Sequence, residues 1–262
     1  MSRNVVPVLA EPRGDAEQVS QLLFGERVEL LDASDAYSLV RSADAYTGWC
    51  PSSALADSIR DDLPARMVTA LIEPVYSGPD LSATQVTLLT LGSPVRTGSA
   101  PAPGSSRIEL LQPGGGSVWI RAGALGDLPT VEGIPDGDRL TAAAYRFAGV
   151  PYLWGGRSTF GIDCSGFTQR VYALCGVTIP RDAYQQAAWE GFEVVAREDL
   201  RCGDLVFFLG DRDPRNRGIT HVGMVLDPPL FIHALGSRGV VISALTEDPF
   251  ARQLRTAARL KD

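Results

Sequence analysis

The sequence predicts an α+β chain in which two small β modules precede a domain built from helices and several strands. Three observations carry that prediction. Residues 4–57 hold short β-type runs parted by turn residues, with no long helical pattern between them, and residues 66–125 read as a second, more divergent copy. From Phe167 the apolar residues Phe167, Val171, Leu174 and Cys175 fall at helical spacing, and Gly176 supplies the stop expected just past a helix end. Beyond it, residues 219–224 and 230–234 read as strands on either side of a turn, Leu226-Asp227-Pro228-Pro229.

In the first module the runs are residues 21–24, 28–31, 37–41 and 46–50, enough for a small barrel. Val118-Trp119-Ile120 is the late strand of the second module, and residues 99–106, rich in Ser, Ala and Pro, read as a mobile loop. The expected boundaries are 1–60 and 61–126 for the two modules, 127–137 for a linker, and 138–262 for the last domain.

Composition narrows the class. A hydrophobic content of 45% with 21% charged residues is that of a globular protein. The formal charge of −7, with no basic, aromatic-laced patch, argues against nucleic acid as a partner. Near the N-terminus the longest apolar stretch, residues 5–10, is interrupted by Pro7, too short for a signal-peptide core or a membrane span. The expectation is therefore a cytoplasmic protein with no membrane partner. The cysteines are Cys50, Cys164, Cys175 and Cys202. Along one helix Cys164 and Cys175 would stand about 16 Å apart, too far to pair, which suits a reducing compartment. Cys50 and Cys175 read as core packing.

Cys164 is different. It falls in the first turn of its helix, where unpaired backbone N–H groups and the helix dipole favour a thiolate. A nucleophilic cysteine needs a base, and the chain has only two histidines, His221 and His233. If the hairpin is centred on Asp227, the two stand directly opposite on one face with Cβ atoms about 4.5–5.5 Å apart. A slip of one residue would put them on opposite faces. The arrangement suggests a triad in which Cys164 attacks, His221 takes its proton and His233 orients His221. No Cys-x-x-Cys or His-x-x-x-His pair occurs, so no metal is expected, and no cofactor.

Several motifs then agree in order and approximate spacing. Pro151-Tyr152-Leu153-Trp154-Gly155-Gly156 is followed by Gly161-Ile162-Asp163-Cys164-Ser165-Gly166-Phe167. Ile179-Pro180-Arg181, Gln185, Gly203-Asp204-Leu205-Val206-Phe207-Phe208 and His221-Val222-Gly223 come after. Over about residues 138–250 the chain resembles the NlpC-type bacterial cell-wall cysteine peptidases. The resemblance implies a papain-like α+β fold, Cys164 as nucleophile, His221 as base and His233 as third member. It implies hydrolysis of the γ-D-glutamyl–L-diamino acid bond of murein stem peptides, with a short murein-derived peptide as the partner and a role in recycling.

The oxyanion of that reaction would meet the Cys164 N–H and the Tyr152 hydroxyl. Asp163 and Ser165 flank the nucleophile as substrate-binding candidates, while Asp163 reads equally as a helix cap. Arg181 suits either a substrate carboxylate or an internal ion pair, and Asp182 either substrate or the cap of the next helix. Phe24-Gly25-Glu26-Arg27-Val28 and Tyr46-Thr47-Gly48-Trp49 resemble bacterial SH3-like domains, whose presence in such proteins implies a role in recognising the free amino end of the peptide. Glu26 and Tyr46 are the residues proposed for it. Two departures stand out: Cys202 where the family often has proline, and Asp182 where many relatives carry Thr or Ser. Two rivals remain open, an amidase or acyltransferase on the same Cys–His chemistry and a non-enzymatic wall-binding protein. The sequence is silent on oligomeric state and on diaminopimelate versus lysine.

Overall fold

The computed structural model describes residues 4–57, 62–98, 101, 104–130, 133–210 and 218–261. The chain divides into two units, Met1–Leu128 and Pro129–Asp262.

The described residues of the first unit are all β apart from short 3-10 turns. β1 (Val5–Leu9), β2 (Gln18–Leu23), β3 (Glu29–Ala33), β4 (Tyr37–Arg41) and β5 (Thr47–Pro51) form a five-stranded sheet in the order β2-β1-β5-β4-β3. β1 was not legible as a strand because Pro7 interrupts it; it sits between β2 and β5, where alternate residues Val6 and Val8 are buried. They pack with Leu22, Val40, Cys50 and Ala54. The second sheet uses β6 (Ala65–Val68), β7 (Ile72–Tyr76), β8 (Gln85–Thr90), β9 (Pro94–Thr97), β10 (Arg107–Leu111), β11 (Ser117–Arg121) and β12 (Leu125–Asp127). It has its own core of Val68, Val75, Leu89, Val95, Leu110, Val118 and Ile120, into which Phe24 from the end of β2 also inserts. Gly25 follows with φ of +78°, and a Cβ there would fall 1.9 Å from the Pro94 carbonyl oxygen, so no other residue fits this turn. Residues 99, 100, 102 and 103 of the loop expected at 99–106 lie outside the described residues.

The second unit opens with α1 (Gly137–Tyr145), capped by Asp136, whose side chain accepts the Arg139 N–H at 2.8 Å. A short hairpin, β13 (Arg157–Ser158) and β14 (Gly161–Ile162), leads into α2 (Cys164–Leu174), and α3 (Ala183–Ala187) follows. β15 (Phe192–Val195), β16 (Leu205–Leu209), β17 (Ile219–Asp227), β18 (Leu230–Leu235), β19 (Gly239–Ala244), α4 (Phe250–Gln253) and β20 (Leu254–Leu260) complete it. Their antiparallel sheet runs β15-β20-β16-β17-β18-β19.

Strand alternation divides the buried residues between two faces. Val206, Phe208, Val225 and Phe231 form one core with Leu245 and Ala257. Phe207, Val222, Met224 and Ile232 leave the sheet in the other direction and are equally buried, and α2 packs against β17 and β18. This is the mixed α+β architecture expected, with a papain-like second unit. α2 ends where Gly176 predicts: with Gly176 at φ +88°, its N–H donates to Ala173 and that of Val177 to Tyr172, a Schellman cap. No described helix is long and apolar enough to cross a membrane.

Candidate active site

Cys164 is the first residue of α2. What puts it there is the Asp163 carboxylate, which caps the helix by accepting the Gly166 N–H at 2.7 Å. The same carboxylate accepts the Gly155 N–H at 2.9 Å, tying the Trp154-Gly155-Gly156 turn to the helix start. Two glycines permit this approach: a Cβ on Gly166 would lie 2.1 Å from the Gly156 carbonyl oxygen, and one on Gly156 would lie 2.4 Å from that of Gly161.

Arg181 closes the arrangement. Its Nη1 donates to Asp163 Oδ1 at 3.0 Å and to Ser165 Oγ at 2.9 Å, and its Nη2 to Asp163 Oδ2 at 2.6 Å. At 1% exposure this is a buried, bidentate internal ion pair, the second of the two readings open for Arg181. Asp163 and Ser165 are likewise engaged within the protein. Thr168 and Gln186 extend the network: Thr168 Oγ1 donates to Gln186 Oε1 at 2.7 Å, while Gln186 Nε2 donates to the carbonyls of Ser165 at 3.0 Å and Pro180 at 2.8 Å. Asp182 caps α3 in a capping box with Gln185, which accepts the Asp182 N–H at 3.1 Å.

The histidines meet, but not as direct partners. Met224 pairs with Ile232 and Val225 with Phe231, and an irregularity follows before Asp227 pairs with Leu230. The hairpin is therefore not centred on Asp227, and the direct opposition expected for the two histidines does not occur. Continued along the strands, the register sets Gly223 across from His233, and a Cβ on Gly223 would lie 3.0 Å from His233 Cβ and 2.6 Å from the Phe231 ring. His221 lies two residues further along the same face, a diagonal neighbour. From there its Nε2 reaches His233 Nδ1 at 2.7 Å.

Two residues around this pair carried no assignment from the sequence. Ser243 on β19 stands 3.0 Å from His233 Nε2 through its Oγ. Its only sequence signal is a lone hydroxyl in an otherwise apolar run. Phe250 on α4 lies edge-on to His233 with ring centroids 4.9 Å apart, opposite in manner to Phe231, which stacks on the same imidazole at 4.6 Å. Nothing local in the sequence marks Phe250.

Electrostatics correct one expectation. Burial pushes the Cys164 thiol up to about 12, with Asp163 adding to the rise; the Val222 N–H, Arg181 and the Ser165 N–H pull the other way and lose. The helix N-terminus does favour the thiolate, but enclosure outweighs it. Burial also lowers His221 to about 4, opposed by the charge of Asp163, and lowers His233 to about 3, with His221 and Arg238 adding to the fall. Burial thus weighs against the charged form of the thiol and of both imidazoles. Tyr152, bridged to Ile162, has its hydroxyl held in the protonated state by burial first and then by the proximity of Cys164 and Asp163. Glu26 and Tyr46 belong to the first unit. Glu26 Oε2 accepts the Leu23 N–H at 2.9 Å, and Tyr46 lies in the β4–β5 turn, its N–H donating to Asp44 at 3.2 Å. Among the described residues no group of three or more His, Cys, Asp or Glu side chains is placed to hold a metal ion.

The NlpC/P60 family model matches residues 149–259, and the model of the bacterial dipeptidyl-peptidase SH3 domain matches residues 8–55. A γ-D-glutamyl-L-lysine dipeptidyl-peptidase from Bacillus cereus is 29% identical over 92% of this chain and 74% of its own length. A probable endopeptidase from Haemophilus influenzae is 33% identical over 46% of this chain and 73% of its own length. The crystal structure of an NlpC/P60 family protein from Bacillus cereus shares the fold, with a TM-score of 0.82 at 23% identity over 99% of this chain and 98% of that one. Its sequence, its fold and the motifs gathered around Cys164 make this chain a member of the NlpC/P60 family of cysteine peptidases, with a bacterial SH3 domain in its first unit.

Proposed function

We propose that this peptidase acts on peptidoglycan stem peptides and cuts the γ-D-glutamyl–L-diamino acid bond, with Cys164 as nucleophile, His221 as base and His233 as its orienting partner. The observation that carries the reading is the 2.7 Å contact between His221 Nε2 and His233 Nδ1, in the unit whose capped helix begins at Cys164. That contact leaves Nδ1 of His221 as the nitrogen available to the thiol. The choice of bond is supported by the Bacillus cereus relative, whose name specifies it and whose match runs through both units of this chain.

Because burial weighs against the charged form of the thiol and of both imidazoles, Cys164 enters the reaction protonated. Its proton passes to His221 Nδ1 as Sγ attacks the γ-carbonyl of D-Glu, so charge separation coincides with bond formation. The oxyanion that develops is met by the Cys164 N–H, a first-turn donor with no acceptor inside its helix, and by the Tyr152 hydroxyl. Imidazolium His221 then protonates the departing amine. The thioester left on Cys164 is opened by water, which His221 deprotonates.

A dipeptidyl-peptidase works from a free amino end, which points to released peptide fragments rather than intact wall. Recycling in the cytoplasm is a separate part of the proposal. Cell fractionation that recovered the native protein from the periplasm or the medium would overturn that part.

The test of bond and nucleophile is direct. L-Ala-γ-D-Glu-diaminopimelate and its lysine counterpart are incubated with wild type and with Cys164→Ala, and products are read by mass spectrometry. Release of L-Ala-γ-D-Glu by wild type alone is the expected result. Peptides left intact by wild type would sink the assignment of the bond.

A further inference from the structure

The line of ring nitrogens does not end at His233. His221 Nε2 meets His233 Nδ1 at 2.7 Å, and His233 Nε2 meets Ser243 Oγ at 3.0 Å. The sheet builds this line by a repeated offset. His233 pairs with Val241 across β18 and β19, so Ser243, which pairs with Phe231, is its diagonal neighbour on the same face. His233 is fully buried and Ser243 is 8% exposed. Phe231 stacks on the His233 ring while Phe250 meets it edge-on, and the two phenyl rings also meet each other at 5.0 Å, so the imidazole is packed into one aromatic cluster.

A neutral imidazole has one N–H and one lone pair, and which nitrogen holds which is set by its neighbours. On the reading given above, His221 must present a bare Nδ1 to the thiol. Its proton then sits on Nε2 and points at His233, whose Nδ1 must accept it. The proton of His233 is thereby forced onto Nε2, facing Ser243. A serine hydroxyl both donates and accepts, so Ser243 can take up that N–H. The demand becomes absolute once His221 has taken the cysteine proton. Imidazolium His221 is a donor at both nitrogens, so the Nε2–H of His233 becomes obligatory in the charged state, inside a site walled by aromatic rings.

We propose that Ser243 is a positioning residue of this active site: its hydroxyl accepts the Nε2–H of His233 and so holds His233 in the one tautomer able to accept from the imidazolium of His221. Without the hydroxyl that N–H is buried with no acceptor opposite it, at the moment the site carries its charge. A buried donor left without a partner is costly, and more so beside a charged group. The opposite tautomer escapes that cost by leaving a bare nitrogen at position 243, but it turns an N–H of His221 toward Cys164 and removes the base.

The chain contains only two histidines, which makes the experiment clean. Ser243→Ala and Ser243→Thr are compared with wild type on the tripeptide, and the tautomers are read at pH 7 from the four ring nitrogens of 15N-histidine-labelled protein. Ser243→Ala is expected to lower kcat by about tenfold to a hundredfold with KM little changed. Its His233 proton should move from Nε2 toward Nδ1. Ser243→Thr keeps the hydroxyl and should stay within a few-fold of wild type with the wild-type nitrogen pattern. The proposal is overturned if Ser243→Ala keeps both kcat and the nitrogen pattern, if wild type already carries its His233 proton on Nδ1, or if Thr fails to rescue a protein that melts normally. The nitrogen spectra need no substrate. A protein that left the tripeptide intact would defeat the functional reading while the role of Ser243 was still decided.

Discussion

The ion pair between Arg13 and Asp15 and that between Arg181 and Asp163 have nearly the same N···O separation, 2.7 and 2.6 Å. Their surroundings are opposite. The first lies in an exposed turn of the β unit, with side-chain exposures of 52% and 81%, where water and salt screen it and side-chain entropy opposes it. The second lies beneath the nucleophile with exposures of 1% and 9%, where desolvation of both charges is costly and every lone pair must be met. Here they are met: Asp163 has two backbone N–H donors besides the guanidinium, and Ser165 takes the remaining Nη1 contact. A buried pair of this kind is better understood as fixing geometry than as adding net stability. It locks the start of α2 to the Gly155 turn and to the segment before α3, and so sets where Cys164 stands.

The sharpest way to break the comparison is to remove one partner from each pair. Arg181→Met leaves an unpaired buried carboxylate, and urea unfolding should show a loss of about 3–5 kcal/mol. Adding Asp163→Asn should recover part of that loss, because the stranded charge is gone. If the double variant stays as unstable as Arg181→Met alone, the pair adds net stability in its own right and the geometric reading fails.

Tyr152→Phe tests the neighbouring wall of the site. Turnover should fall by about 10²–10³ with folding unaffected, since only the proposed oxyanion donor is removed. An unchanged rate would take Tyr152 out of the mechanism.

The third test uses acid. His221 at about 4 and His233 at about 3 lie below the ordinary value of 6.5. Between those limits the unfolded chain binds more protons than the folded one, so stability rises with pH across the window and falls as acid is added. The melting temperature should be insensitive to these two groups above about pH 6.5 and decline below it. His233→Asn, which cannot titrate, should flatten the decline; parallel curves would show that the histidines do not cause it. The smallest effect belongs to the exposed pair, where Arg13→Ala should leave the urea midpoint unchanged.

Much of the site was legible in the sequence, for reasons that differ residue by residue. Cys164 at a helix start and Gly176 at its end follow from local spacing alone. That His221 and His233 share a face was an expectation conditional on register, since a slip of one residue would reverse it, and their diagonal offset depends on the irregularity between Val225 and Asp227, which no local pattern encodes. The upward push of burial on the thiol escaped prediction because the helix dipole is a local property and burial a tertiary one. Arg181 and Asp163 each kept two readings until the fold brought them together. Ser243 requires the register between β18 and β19, and Phe250 requires knowing how the chain returns over the sheet. In the first unit β1 was overlooked because proline normally marks a strand as broken, yet Pro7 lies within a paired strand whose neighbouring residues fill the core.

Gly223 imposes a rule on anyone who would move this chemistry to another scaffold. Two rings clasped between strands need a patch of bare backbone beneath them, and position 223 supplies it: any side chain there would strike Phe231 and crowd His233. The histidines are thus bound to a third position that contributes no atoms to the reaction. A transplanted hairpin carrying both imidazoles but alanine at that place would display the right letters with the rings pushed apart. The portable unit is the histidine pair together with the hollow that admits it.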